Sequence, residues 1–248
     1  MSFLPGTSIR VYANEFAVSG NVSGVNAQHQ RATSDVTVVT SGGGMNYVPG
    51  LMSGSLALRG PLDSSSDLAA EILAAIGVDN NVLITACPDG TAVGKPALFM
   101  IGDPTEYTMD ASVSDALGYV VTSTADESVD MGYVLVAPSA ITADGNGTAV
   151  DRGTSLSYDG STEAFTIHGG VAALHVSAYS GFTSVALKIQ HSPDNSAWSD
   201  LASFASVTAV GWQRLSVANG TQINRYVRAV TDVTGTGSIT YLMAFAPR

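Results

Sequence analysis

A single cysteine, Cys87, is all that the 248 residues contain, so the chain has no internal disulfide and no cysteine-built zinc cage, which suits a reducing compartment. Charge is scarce as well. Asp, Glu, Lys and Arg together make up 12%, against about 25% in an ordinary soluble domain, so much of the surface has to be Ser, Thr, Asn, Gly and apolar groups. No apolar run approaches the roughly 18 residues of a membrane-spanning helix, and no membrane insertion is expected. The opening MSFLPGTSIR has neither a basic leader nor the apolar core of a secretory signal, so folding in a cytosol is expected. Basic residues are rarest in the first half. Residues 1–150 hold fifteen Asp and Glu against four Lys and Arg and carry the whole net charge of −11, while residues 151–248 hold six of each. That split argues for two domains in different surroundings, and against a first half that grips nucleic acid by neutralising phosphates.

Signatures of catalysis are missing too. Gly42, Gly43 and Gly44 make a glycine-rich turn, but no Gly-Lys-Ser/Thr follows to hold a phosphate. Cys87 follows the apolar run VLITA and precedes a proline with no cation nearby to activate it, so it reads as a small buried hydrophobe. His175 and His191 fall on adjacent predicted strands, but neither they nor His29 and His168 have metal-ligand spacing; all four read as surface histidines on sheet faces. Asp126, Glu127 and Asp130 lie in TADESVD, which lacks the frame of a calcium loop and reads as a solvated acidic turn. The sequons at Asn21, Asn146 and Asn219 carry no weight without secretion. No catalytic, cofactor-binding or metal-binding residue is assigned, and no enzymatic activity is expected.

What is present is a succession of short alternating segments punctuated by Gly, Asn, Asp and Pro, the pattern of sandwiches and barrels. Strands are expected over Ser8–Tyr12, Asp35–Thr40, Gly54–Gly60, Asn81–Ala86, Ala97–Gly102, Leu117–Thr124 and Gly132–Ala137. A helix is expected near 67–76, where Asp67 offers a cap, Leu68, Ile72 and Ile76 recur four apart, and Gly77 ends the run. Between the strands lies a long loop over 41–53, glycine-rich yet carrying Met45, Asn46, Tyr47, Val48, Leu51 and Met52. It is either a flexible connector or a contact arm toward a neighbouring subunit, in which case these six residues make the contact.

From Ile141 to Tyr158 the text turns to Gly, Asp, Asn and Thr, which places a boundary near residue 150, with one domain over 1–150 and a second over 151–248. In the second, Leu174, Val176 and Ala178 oppose His175, Ser177 and Tyr179, and Val185, Leu187 and Ile189 oppose Ala186, Lys188 and Gln190, so each strand is expected to have one dry and one wet face. Further strands are expected near Leu201–Val207, Trp212–Val217, Arg225–Thr231 and Ser238–Ala246, a count that suits an immunoglobulin-like or jelly-roll β-sandwich. Its aromatics Tyr179, Trp198, Trp212 and Tyr226 permit sugar stacking if exposed, although most are expected in the core.

The segment from Arg31 to Asp63, RATSDVTVVTSGGGMNYVPGLMSGSLALRGPLD, resembles the major tail proteins, or tail tube proteins, of long non-contractile-tailed phages. The resemblance lies in a strand with Thr37 and Thr40, a small-residue loop, then Tyr47-Val48-Pro49-Gly50-Leu51 and Gly54-Ser55-Leu56-Ala57-Leu58-Arg59-Gly60 ahead of a helix, together with Phe3-Leu4-Pro5-Gly6 at the start. It spans roughly residues 1–140, except Cys87 to Glu127, which does not align. The second domain looks like one that recurs on the outer surface of phage virions. The resemblance implies a mainly β fold, a pair of packed β-sheets with one flanking α-helix, followed by the C-terminal β-sandwich. It also implies a structural virion protein that assembles with itself into stacked, hexameric rings in the host bacterial cytoplasm and joins other phage tail proteins. Genomic DNA passes through such a tube without specific binding. The alternative is a head decoration or adhesin protein whose C-terminal sandwich, residues 151–248, makes weak contact with cell-surface glycan. Which carboxylates face a lumen is not legible in the sequence.

Overall fold

The computed structural model describes residues 8–19, 22–37, 45–61, 81–110, 118–153, 155–156, 162–163 and 165–248. The helix expected near 67–76 lies outside the described residues. Those described are mainly β, and every strand pair of known register is antiparallel. In chain order the strands begin with β1 Arg10–Ala13, β2 Phe16–Ala17, β3 Gly24–Asp35, β4 Tyr47–Pro61, β5 Val82–Cys87 and β6 Pro96–Asp110. They continue with β7 Gly118–Ala125, β8 Asp130–Val136, β9 Ala140–Ile141, β10 Gly145–Asn146, β11 Val150–Asp151, β12 Ser155–Leu156, β13 Thr162–Glu163 and β14 Phe165–Thr166. The last are β15 Gly170–Ser192, β16 Ser199–Ser203, β17 Gly211–Val217, β18 Ile223–Asn224 and β19 Tyr226–Pro247.

Contacts group the chain into two compact units. One comprises Met1–Gly20, Leu83–Phe99 and Asp130–Arg248, the other Asn21–Val82 and Met100–Val129. The composition boundary over 141–158 falls inside the first unit, because β9, β10 and β11, which cross it, all pair with β19.

The first unit is organised by β15 and β19, which pair from Gly170↔Pro247 to Ser192↔Tyr226. Each is a single strand where the sequence reads as two with a turn between. Gly181 and Gly235 adopt positive φ (78° and 96°) and the register shifts beside Phe182, so glycines that look like turn residues instead let the paired strands bend while the ladder continues. His175 and His191 therefore lie sixteen positions apart on one strand. From Val171 to Val176, β15 is buried on both faces. Ala172, Leu174 and Val176 join a core with Tyr241, Met243 and Phe245, whereas Val171 and Ala173 join another with Leu242, Ala244, Ala246, Tyr12, Leu83, Cys87 and Phe99. The expected wet face thus exists only further on, where Val185, Leu187 and Ile189 are buried and Lys188 and Gln190 are not.

This double burial also moves His175 from the expected surface to 0% exposure. Its Nδ1 lies 2.6 Å from the Asn14 carbonyl oxygen and its Nε2 2.6 Å from Thr85 Oγ1. The neutral ring satisfies both, with Nδ1–H donating to Asn14 and the Thr85 hydroxyl donating to Nε2. Burial pushes its pKa down to about 4, with the hydrogen bond to Asn14 opposing. The Tyr12 ring sits at a 5.8 Å centroid distance.

The second unit is a four-stranded sheet in the order β3, β4, β7, β6. Leu56, Leu58, Tyr119 and Val121 are buried on one face. Strand β3, GVNAQHQRATSD, has no apolar alternation for a sequence reading to find; it is a strand because β4 supplies its ladder, from Gly24↔Arg59 to Asp35↔Tyr47.

Candidate functional site

Of the expected loop over 41–53, residues 47–53 form the first part of β4. Pairing with β3 makes them a strand despite Pro49 and Gly50, because those residues sit at an irregularity: Arg31 faces Met52 and Thr33 faces Pro49, so two residues of β4, Gly50 and Leu51, stand opposite Ala32 alone. A proline is tolerated where the ladder is interrupted. Arg31 Nε donates to the Gly50 carbonyl (3.3 Å) across this bulge. Near the tip, the Val36 N–H donates to the Asn46 carbonyl (2.9 Å) and the Asn46 N–H to Thr37 Oγ1 (2.9 Å). Asp35 accepts from the Thr37 hydroxyl and N–H, and these two bonds hold its carboxyl below the usual range.

The register fixes which side chains share a face. Met52 and Tyr47 pair with Arg31 and Asp35, which share one face of β3, and so continue the face that carries Leu56 and Leu58. Over Leu56 and Leu58 that face is buried. At Gly54 the backbone is close against Val129, and a side chain there would collide with it at 2.9 Å. Beyond Gly54 no described residue continues the cover: Met52 is 50% exposed, Tyr47 54%, Met45 72% and, on the opposite side of the bulge, Leu51 87%. Val48 and Val36 are exposed as well, and Asn46 with them. The Tyr47 hydroxyl is 3.0 Å from Met45 Sδ, two residues back along the same arm of the hairpin. Strand β4 meets β7 only from Ser55 onward, and β3 pairs with β4 alone, so among the described residues the outer hairpin is a two-stranded ribbon. A ribbon of two strands has little stability of its own in water.

The other sequence candidates separate. Cys87 is buried, and burial pushes its thiol up to about 12, which makes it unreactive. Asp130, expected in a solvated turn, is buried and bound by Arg248 Nε (3.0 Å) and Nη2 (2.9 Å), with Arg214 Nη2 at 3.7 Å. Among the described residues no cluster of three or more His, Cys, Asp or Glu is placed to hold a metal. Of the aromatics, Tyr179, Trp198, Trp212 and Tyr226 are all half-buried. Trp212 packs on one core and Tyr179 on another, and one face of Trp198 lies 4.1 Å under the Arg228 guanidinium. The Trp198 turn is built by Asp194, which accepts from the Ser196 and Ala197 N–H groups (both 2.9 Å) and from the Ser192 and Ser196 hydroxyls. Those bonds hold its carboxyl well below the usual range. Sequence alternation does not reveal this network, although the SPDNS spacing of a turn does.

These features define a mainly antiparallel β protein of two units whose distinctive surface is an uncovered apolar hairpin. No protein-family model matches the chain, and no curated protein sequence matches it. Some solved structures are similar to it. A chain of the virion of a native gene transfer agent particle is 12% identical, with 51% of this chain and 97% of that one covered and a TM-score of 0.41. A chain of the PVC sheath–tube complex, an extracellular contractile injection system, is 18% identical over 53% of this chain and 93% of that one, at 0.43. The SPP1 Dit protein, described as a paradigm of the hub adsorption apparatus in phages infecting Gram-positive hosts, is 12% identical over 96% and 99%, at 0.37. At TM-scores below 0.5 these likenesses assign no family.

Proposed function

We propose that this chain is a structural, non-catalytic subunit of a phage tail that assembles with copies of itself into stacked rings, and that the β3–β4 hairpin is the arm through which neighbouring subunits hold one another. The observation that carries the reading is the face of β4 that is buried at Leu56 and Leu58 and continues, uncovered, through Met52 and Tyr47. A sheet face patterned for burial beyond the end of its own cover is completed by another layer, and in a self-assembling ring that layer is a second copy. The sequence resemblance to tail tube proteins supplies the rest of the proposal: hexameric rings, assembly in the host cytoplasm, attachment to other tail proteins, and a channel for genomic DNA.

Met45→Ser combined with Tyr47→Ser tests it. Each large apolar side chain contributes about 1.5–3 kcal/mol when fully buried, so the double change removes about 3 kcal/mol per contact, or about a hundredfold in association. The variant should keep the wild-type circular dichroism spectrum and melting temperature, while negative-stain images should show stacked rings for the wild type and none for the variant. Variant tubes that form at the wild-type concentration would rule the hairpin out as the arm. Wild-type rings that form singly and never stack would place the chain at a tail end instead of along a tube.

A further inference from the structure

The first unit holds a hollow that its own chain leaves open. Val207 is pinned to β15 by a two-way backbone exchange with Val185 (2.8 and 2.9 Å), and Gly211 by its place at the end of the β15–β17 ladder, opposite Val176. The chain between these anchors walls a depression of about 190 Å³. Val176 and Val207, buried members of the unit's larger core, line it together with Ser206, Thr208 and Gln213. Gly211 keeps it open, since a Cβ there would meet nothing within 4 Å. The wall is held in place by Gln213, whose Nε2 donates to the Ala205 carbonyl (3.0 Å). Small-molecule pockets usually measure about 300–1,000 Å³. A hollow of this size takes one side chain.

The bulge of β4 presents such a side chain. Gly50 lies close over Ala32, where a Cβ would meet the carbonyl oxygen at 3.2 Å, so the extra residue Leu51 is the one that stands away from the ladder. At 87% it is the most exposed large apolar side chain among the described residues, and the face of Leu56 and Leu58 does not account for it. We infer that Leu51 of one copy seats in the hollow of another, an inference that rests on the self-assembly proposed above and names the surface that receives the arm. The floor of Val176 and Val207 matches the isobutyl group, and the hydroxyls of Ser206 and Thr208 match backbone groups that a bulge leaves outside the ladder. Neither residues 45–58 nor residues 201–213 include a charged side chain, so two copies that each carry a net charge of −11 meet there without like charges face to face. Knob and hollow belong to different units of the chain. The contact is therefore heterologous, and every copy keeps one free knob and one free hollow until a ring closes.

Photo-crosslinking of the full chain tests the pairing. Protein made with photo-leucine, a diazirine of leucine's shape, is assembled from a mixture of copies labelled with light and heavy nitrogen, irradiated and digested. Cross-links from the peptide containing Leu51 should lead to the peptide containing residues 206–213 and should join light copies to heavy ones. In a second arm, Leu51→Gln, a change at an exposed position that leaves the fold intact, should raise the concentration needed for assembly by at least about tenfold, the share of one buried leucine. If wild-type copies do not assemble, the proposed function fails and this inference with it. If they assemble and Leu51 is joined to a second Leu51, to any other peptide, or only within its own copy, this inference alone fails. Assembly of the Leu51→Gln protein at the wild-type concentration would overturn it as well.

Discussion

Lowering the pH from 7 to 5 should destabilise the first unit through one ring, His175. The side chain is fully buried, and both nitrogens are engaged by Asn14 and Thr85 in the neutral form. Its folded pKa of about 4 lies below the 6.5 of a free histidine. The unfolded chain therefore binds a proton over a window in which the folded protein does not, and the stability that the neutral ring contributes is complete above pH 6.5 and is lost as the pH falls toward 4. The full difference corresponds to about 3 kcal/mol, of which about 2 kcal/mol is gone by pH 5. Half-buried His191, lowered by burial and then by Arg152, acts in the same direction. Urea unfolding at pH 7 and pH 5, followed for the wild type and for His175→Gln, isolates the effect. The variant cannot titrate at this site, so its stability should fall by about 2 kcal/mol less between the two pH values. Equal losses in the two proteins, or an NMR titration of His175 in the folded state with a midpoint near that of a free histidine, would refute the reasoning.

Other consequences are as direct. Asp130→Ala leaves Arg214 and Arg248 without their shared carboxylate and should cost about 2 kcal/mol in denaturant unfolding, less than a fully buried pair because Arg248 is partly in water. Gly132→Ala should cost about 3 kcal/mol or prevent folding, since the new Cβ would lie 2.1 Å from the Phe245 carbonyl oxygen and 2.6 Å from the Ala246 Cα, backbone atoms of the β8–β19 ladder that cannot swing aside. Limited proteolysis should leave residues 140–151 intact in the native protein, because β9, β10 and β11 are all laddered to β19. Early cleavage within 140–151 would show instead that these short pairings open freely.

The fold class was legible because period-two alternation survives wherever one face is wet, as at Val185, Leu187 and Ile189. It failed where that condition fails. Between Val171 and Val176 both faces are dry, and there a histidine that looks like surface is core. It also failed where pairing outweighs composition: β3 has hardly any apolar residue to announce it, and Tyr47–Ser53 looks like loop because its glycine and proline sit at a bulge. The apolar residues of the candidate site were visible in sequence as material too sticky for a connector. That they continue a core face, and where its cover ends, depended on register, which a one-residue slip would invert.

Strand β19 carries a consequence for timing. It is the partner of β8, β9, β10, β11 and β15, so five ladders of the first unit, the longest among them, wait for the same 22 residues. Strands β8 to β11 are synthesised long before it, and chain growth at roughly 5–20 residues per second leaves them without it for several seconds. The second unit, whose ladders close within residues 24–125, has no such dependence. On the ribosome the second unit should become protease-resistant first, while the first unit locks in one late step as β19 emerges. That order lets the hairpin-bearing sheet close while the strands of the first unit are still waiting for their last partner.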